Sequence, residues 1–263
     1  MVFQERTQRV GEGTCAHDHR WGAHAMSELQ SPPTTVPLPS TAPGGSRGYR
    51  LAKVTLSGPL RFAYRVEVEG LNHLPDRGPV ILAANHRSFM DSVFLALTSP
   101  RPIAFVAKAE YFDHPLTRWL FRGTGQIPLR RGTASGARHA LDAASDVLAH
   151  GGILGIYPEG TRSRDGKLHR GNPGPARLAL KSGAPIVPVG LIGTEAVQGP
   201  GERLPHPFRT VKVRFGEARR VRSDDSGAGK ARLRGATDQV MQDIAALCGQ
   251  QYVDQYAFPP AAV

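Results

Sequence analysis

The chain has 263 residues, a formal net charge of +11, 40% hydrophobic and 7% aromatic residues, and two cysteines near its opposite ends, Cys15 and Cys248. This length supports one domain with a sizeable core, while the isolated cysteines exclude a disulfide framework and fit a reducing compartment. No run of roughly 18 apolar residues exists to form an ordinary transmembrane helix, and without zinc spacing or an aromatic RNA-binding signature the basic balance points to anionic headgroups rather than nucleic acid.

Residues 1–48 read as a disordered tail. Ser31 to Gly48 holds five Pro and three Gly in 18 residues, a linker composition with little to bury. Four basic and four acidic residues cancel within the first 48, so the positive charge belongs to residues 49–263. Gly44-Gly45-Ser46-Arg47-Gly48 formally matches an esterase nucleophile elbow, but no strand precedes it and no helix follows. His17, His19 and His24 beside Cys15 sit in this tail and are not read as a metal site, and the apolar h-region of a signal peptide is missing. The expected domain spans 49–250, with a C-terminal tail at 251–263.

Within the domain, Tyr49 to Tyr64 alternates Arg50, Lys53 and Arg61 with Leu51, Val54, Leu56, Leu60 and Phe62, a pattern suited to an anionic membrane surface, with Gly58-Pro59 as a break. His114 to Gly123, with Trp119, Leu120 and Phe121 between Arg118 and Arg122, is a second such stretch. Apolar runs predict strands at 79–85, 103–107, 125–129, 152–157, 185–192 and 211–215, and 3.6-residue periodicity predicts helices at 89–98, 114–122, 135–149, 174–182 and 230–248. Strands alternating with helices imply an α/β single-domain sandwich with a largely parallel sheet flanked by helices.

Two polar clusters interrupt these apolar elements. Asn85-His86-Arg87-Ser88-Phe89-Met90-Asp91 lies at a predicted strand-to-helix junction, with Ser88 as N-cap and Asp91 at the capping-box position. A helix beginning between His86 and Asp91 lets the carboxylate fold back to the imidazole; inside one helix the two would lie about 140° apart. Such a pair can hold one ring tautomer and leave the other nitrogen to take a proton from a hydroxyl. The second cluster, Tyr157-Pro158-Glu159-Gly160-Thr161-Arg162-Ser163-Arg164, follows a predicted strand that Pro158 ends. It sets guanidinium groups where open α/β sheets bind ligands, beside a glycine that admits a close approach.

These clusters, with Gly125-Gln126-Ile127-Pro128-Leu129-Arg130-Arg131 and Ala184-Pro185-Ile186-Val187-Pro188-Val189-Gly190, occur in the order of the four blocks of the 1-acylglycerol-3-phosphate acyltransferase family, which the chain resembles over about residues 50 to 245. The resemblance implies transfer of an acyl chain from a thioester, acyl-CoA or acyl carrier protein, to the sn-2 hydroxyl of a lysophospholipid at a membrane surface on the cytoplasmic side, without a further cofactor and without a metal. It implies His86 as general base and Asp91 as its orienting partner, Lys108, Arg131, Glu159, Gly160, Thr161 and Arg162 as acceptor-binding residues, and Pro188 on the acyl-side wall. One departure stands out: relatives commonly carry a cation where this chain has Asn172, between Gly171 and Pro173. That leaves acceptors other than lysophosphatidate, such as a lyso-glycolipid or lyso-aminolipid, as the alternative. A thioester hydrolase, in which the same pair activates water, and a lipid-binding protein complete the set.

Overall fold

The computed structural model describes residues 47–113, 115–129, 134–221 and 229–257. The expected tail at 1–48 therefore lies almost wholly outside the described residues, as does Arg131. The first described element is helix α1 (Arg47–Ala63), so a helix does follow the Gly44–Gly48 match, against expectation; strand β1 (Tyr64–Glu69) and a single 3₁₀ turn, Leu71–His73, come next. Then come β2 (Val80–Ala84), α2 (Met90–Thr98), β3 (Ile103–Lys108), the short α3 (Glu110–Asp113), α4 (Pro115–Gly123), β4 (Ile127–Leu129), α5 (Ala134–Ala149) and β5 (Ile153–Ile156). The chain continues through β6 (Leu168–His169), α6 (Gly174–Ser182), β7 (Ile186–Ile192), α7 (Thr194–Val197), β8 (Arg209–Phe215), α8 (Gly229–Cys248) and β9 (Tyr252–Val253).

Seven strands form one sheet in the order β1-β8-β7-β2-β5-β3-β4, and β6 pairs with β9 in a separate two-stranded ribbon. Every neighbouring pair in the large sheet is parallel except β7 with β8. The central strand β2 is buried along its whole length, which is why it reads as an unbroken apolar run rather than an alternating one.

The period-2 side-chain alternation of a strand divides the core in two. Val80, Leu82 and Ala84 of β2 join Phe94, Leu95 and Leu97 of α2 on one face, with Leu60 of α1 packed against them. Ile81 and Ala83 point to the other face, among Ala144 and Leu148 of α5, Leu178 of α6, and Met241 and Ile244 of α8. The helices thus cover both faces of the sheet, as the sequence implies.

Three boundaries differ from expectation. Pro59 does not break the first amphipathic stretch; α1 runs continuously through it. Gly58 and Pro59 are both exposed, so the hydrogen bond that proline forgoes faces water, and the carbonyls of Leu51 and Val54 in the preceding turn are met by the hydroxyls of Thr55 and Ser57. Strand β1 went unforeseen because its sequence, YRVEVE, carries charges, which face outward as ion pairs with the neighbouring strand: Lys212 with Glu67 at 2.9 Å and Arg214 with Glu69 at 2.9 Å. Nor is 251–263 a tail from its start. Strand β9 pairs with β6, and the amide of Arg170 donates to the carbonyl of Gln255.

Candidate active site

The parallel strands β2 and β5 lie side by side, with Ala83 opposite Ile156, so the loops that follow them emerge together at the sheet's carboxyl edge. The first loop is held from behind. The Asn85 side-chain amide donates to the carbonyl of Leu191 at 2.9 Å and to Oε1 of Gln250 at 2.7 Å, and its oxygen accepts from the Leu191 amide at 2.7 Å. The next residue, His86, is thereby anchored to β7 and to the segment after α8.

Asp91 sits in the first turn of α2 and is wholly buried. Its Oδ2 accepts from the backbone amides of Arg87 at 2.7 Å and Ser88 at 2.8 Å, and lies 2.8 Å from His86 Nδ1. The carboxylate therefore caps the helix and orients the imidazole with the same oxygen. Ser88 Oγ accepts from the Met90 amide at 3.1 Å and donates to the carbonyl of Gln198 at 2.8 Å. With Nδ1 committed to Asp91, Nε2 is the ring nitrogen left for a substrate, and 18% of the His86 side chain remains accessible on the cavity wall.

One contact went unread in the sequence. The His86 ring stacks on Tyr157 with centroids 3.8 Å apart and planes 10° from parallel, and the Tyr157 hydroxyl is 2.7 Å from Ser92 Oγ on α2. Burial, and then the nearby Asp91 charge, push that hydroxyl's pKa well above its ordinary value, so Tyr157 stays neutral and serves as a flat wall behind the imidazole. A bulky aromatic directly before the Pro158 turn, at the end of a strand parallel to the one carrying His86, was the available signal.

The second loop is tied to the first by the Ser163 amide, which donates to the His86 carbonyl at 2.7 Å. Gly160 adopts φ +72°, a left-handed conformation that glycine tolerates, and an added Cβ there would stand 3.2 Å from Asn172 Nδ2. Asn172 donates its backbone and side-chain amides to the Pro158 carbonyl at 2.8 and 3.1 Å. The residue that stands where the resemblance implied a cation therefore braces the loop and also borders the cavity.

Of the acceptor-binding residues that the resemblance implied, Lys108, Gly160, Thr161 and Arg162 border one cavity with His86, joined by Arg164. Lys108, Arg162 and Arg164 are exposed at its rim. Glu159 is a different matter. It is 4% exposed and does not border the cavity; its Oε2 accepts from the His86 amide at 3.1 Å and its Oε1 from the His169 amide at 3.0 Å. Burial raises its pKa to about 7, against the opposing pull of those two amides. Glu159 is thus a clamp on the His86 backbone and does not face the cavity. Pro188 requires a similar correction: it lies in β7, buried beside Gly216, whose added Cβ would meet its ring and the side chain of Leu247, and it does not border the cavity.

The cavity has a volume of about 1020 Å³, at the upper end of the roughly 300–1,000 Å³ usual for small-molecule sites. Its guanidinium groups come from the second loop, Lys53, Lys108, Thr124 and Gln126 add polar points elsewhere on the lining, and most of the remaining walls are apolar. Gly155 makes room for one of them: opposite Phe105 in the sheet, it leaves space that an added Cβ would take from the Phe105 ring, at 2.3 Å. Among the described residues no cluster of three or more His, Cys, Asp or Glu side chains is arranged to hold a metal.

A helix-flanked, mostly parallel sheet thus carries a His-Asp pair and a cation-rimmed apolar cavity at its carboxyl edge. Residues 65–192 match the Acyltransferase family model. The crystal structure of the 1-acyl-sn-glycerophosphate (LPA) acyltransferase PlsC from Thermotoga maritima superposes with a TM-score of 0.58 at 27% identity, covering 75% of this chain and 78% of that one. A chloroplastic 1-acyl-sn-glycerol-3-phosphate acyltransferase of Arabidopsis thaliana is 31% identical over 152 residues, 57% of this chain and 42% of its own. The human 1-acyl-sn-glycerol-3-phosphate acyltransferase alpha is 29% identical over 132 residues, 49% of this chain and 46% of its own. The chain is thus similar to 1-acyl-sn-glycerol-3-phosphate acyltransferases over this region, and it spans about half or less of the length of these curated relatives.

Proposed function

We propose that the protein transfers an acyl chain from a thioester donor, acyl-CoA or acyl carrier protein, to the sn-2 hydroxyl of 1-acylglycerol-3-phosphate, giving phosphatidate. The observation that carries this reading is the His86–Asp91 pair opening onto an apolar cavity rimmed by Lys108, Arg162 and Arg164. His86 Nε2 takes the hydroxyl proton as the oxygen attacks the thioester carbonyl. The C–S bond then breaks, and the departing sulfur takes the proton from the imidazolium. Asp91 stabilises that transient cation. Arg162 pairs with the acceptor phosphate by a charge-assisted fork, with Lys108 and Arg164 as neighbouring charges.

The donor chain is assigned to the part of the cavity that runs along α2 from His86 past Val93 and Ala96 to Tyr49 of α1. The outer side of α1 is the membrane contact. Leu51, Val54 and Phe62 are 66%, 73% and 85% exposed, with Arg50 and Arg61 among them. The loop before β8 adds Leu204 and Phe208, at 78% and 75%, and the Phe208 amide donates to the Ala63 carbonyl at the end of α1. Exposed apolar side chains beside cations suit peripheral binding to an anionic leaflet, and no helix among the described residues is long and apolar enough to cross a membrane. The other candidate stretch points differently: Leu120 and Phe121 of α4 border the cavity, and Phe121 packs on Tyr111 and Phe112.

The test is thiol release from acyl-CoA on anionic vesicles, with and without lysophosphatidate. Release that requires acceptor and disappears in His86→Ala supports the reading. Release without acceptor would make the protein a thioester hydrolase, and release with another lysolipid alone would return attention to Asn172.

A further inference from the structure

The cavity is not confined to one face of the sheet. Phe105 and Tyr157, which border it, belong to the α1/α2 face, whereas Val106 and Ile156, their neighbours in sequence, border it from the α5/α6 face. The cavity therefore wraps around the carboxyl edge of β3 and β5 and has two apolar arms. The second arm lies between the sheet and α5 and α6, lined by Ala140, Leu141, Ala144 and Leu178. Ala140, Ala144 and Leu178 are otherwise core residues, 6%, 1% and 3% exposed. Ala140 and Ala144 stand one helical turn apart on the same side of α5, and their short side chains leave a channel along it.

The mouth of this arm is the second polar loop. Gly160, Thr161 and Asn172 border the cavity there, as do Gly174 and Pro175 at the start of α6. In a lysophosphatidate whose phosphate meets Arg162 and whose free hydroxyl meets His86, the remaining glycerol carbon carries the acceptor's own acyl chain. That chain must leave the glycerol close to the phosphate loop, and the apolar exit at that point is the second arm. The reaction brings two aliphatic chains to one histidine, and the cavity offers each a separate face of the sheet.

We propose that the α5/α6 arm is the binding site for the acyl chain of the acceptor, separate from the donor arm along α2, and that Ala144 and Leu178 set the acceptor chain accepted. This rests on the acyltransferase reading above.

The test compares kcat/KM for oleoyl- and hexanoyl-lysophosphatidate, and separately for palmitoyl- and hexanoyl-CoA, in the wild type and three variants. Ala144→Leu narrows the arm and is expected to lower the oleoyl-to-hexanoyl acceptor ratio by about tenfold, the scale on which one or a few methylenes are discriminated in a pocket, with the donor ratio unchanged. Leu178→Ala widens the arm and should move the acceptor ratio the other way; it decides the matter alone if thermal unfolding shows that Ala144→Leu does not fold. Ala96→Leu, in the α2 arm, should move only the donor ratio. A changed donor ratio in Ala144→Leu or Leu178→Ala, or no change in the acceptor ratio, overturns the proposal. If the wild type shows no acceptor-dependent release, the acyltransferase reading fails on its own. Calorimetry below the micelle concentration then reads the arm directly: tighter binding of oleoyl- than hexanoyl-lysophosphatidate, lost in Ala144→Leu, supports it, and equal binding overturns it.

Discussion

The two loops at the carboxyl edge of the sheet are built on opposite principles. In the loop after β2, Asn85, Ser88 and Asp91 are buried and spend their hydrogen bonds on backbone, on the Gln250 side chain or on His86. In the loop after β5, Gly160, Arg162 and Arg164 are exposed at the cavity rim. The proposed role of His86 calls for the first of these: a general base must meet its proton at hydrogen-bond distance, and misplacement by an ångström is costly, so rigid support suits it. A phosphate can be captured by long cationic side chains that adjust to it, so the binding loop can stay wet. Glu159 is the exception that joins the two, a member of the second loop whose carboxylate holds the His86 backbone.

If this division is right, damage to the first loop falls on turnover and damage to the second on binding. The largest effect is expected for His86→Ala, a loss of about 10² to 10⁴ in kcat with the fold intact, since general-base catalysis contributes that much; steady-state kinetics with circular dichroism check it, and near-normal turnover removes His86 from the mechanism. Asp91→Asn should come next, about 10²-fold in kcat. The substituted amide cannot stabilise an imidazolium, and the two amides that bond to Oδ2 lose a charged acceptor, so the melting temperature should fall as well. A variant with normal kcat would make Asp91 a helix cap only. Arg162→Ala should raise the acceptor KM by about tenfold, the loss of one charge-assisted pair, with kcat nearly unchanged. A fall in kcat at constant KM would break the division between the loops.

The smallest effect on turnover at neutral pH is expected for Glu159→Gln, which retains an oxygen acceptor for one amide. Its signature lies in stability. Glu159 is raised from 4.5 to about 7 by burial, so between those values the folded chain keeps a proton that the unfolded chain has lost. The stabilisation is complete below about 4.5 and fades as pH rises through about 7. At 1.36 kcal/mol per pKa unit it amounts to about 3 kcal/mol. Urea denaturation across this range should show a falling contribution in the wild type that is missing from Glu159→Gln. Parallel curves would place the carboxylate in its ordinary range.

Much of this was legible from residues alone, for physical reasons. Central strands such as β2 and β7 are buried on both sides and announce themselves as apolar runs, and Asp91 could be placed against His86 because helix geometry forbids any other way for them to meet. Edge strand β1 was hidden because its charges pair across to β8. The sequence could place Glu159 and Pro188 near the cavity, but whether each side chain faces it depends on loop geometry and strand pairing. The stack of Tyr157 on His86 is a contact between two loops far apart in sequence. Neither arm of the cavity has a sequence signature, because each is bounded by residues that elsewhere form ordinary core.

The bond between Asn85 and Gln250 joins the start of the His86 loop to a residue 165 positions later. During synthesis the chain emerges from its amino end. His86 and Asp91 are therefore made long before the residue that fixes Asn85, and β8, the partner of edge strand β1, also arrives late. A partly made chain can collapse around β2, β3 and β5 yet hold its histidine without that brace, so the His86 loop is fixed only once Gln250 has been made.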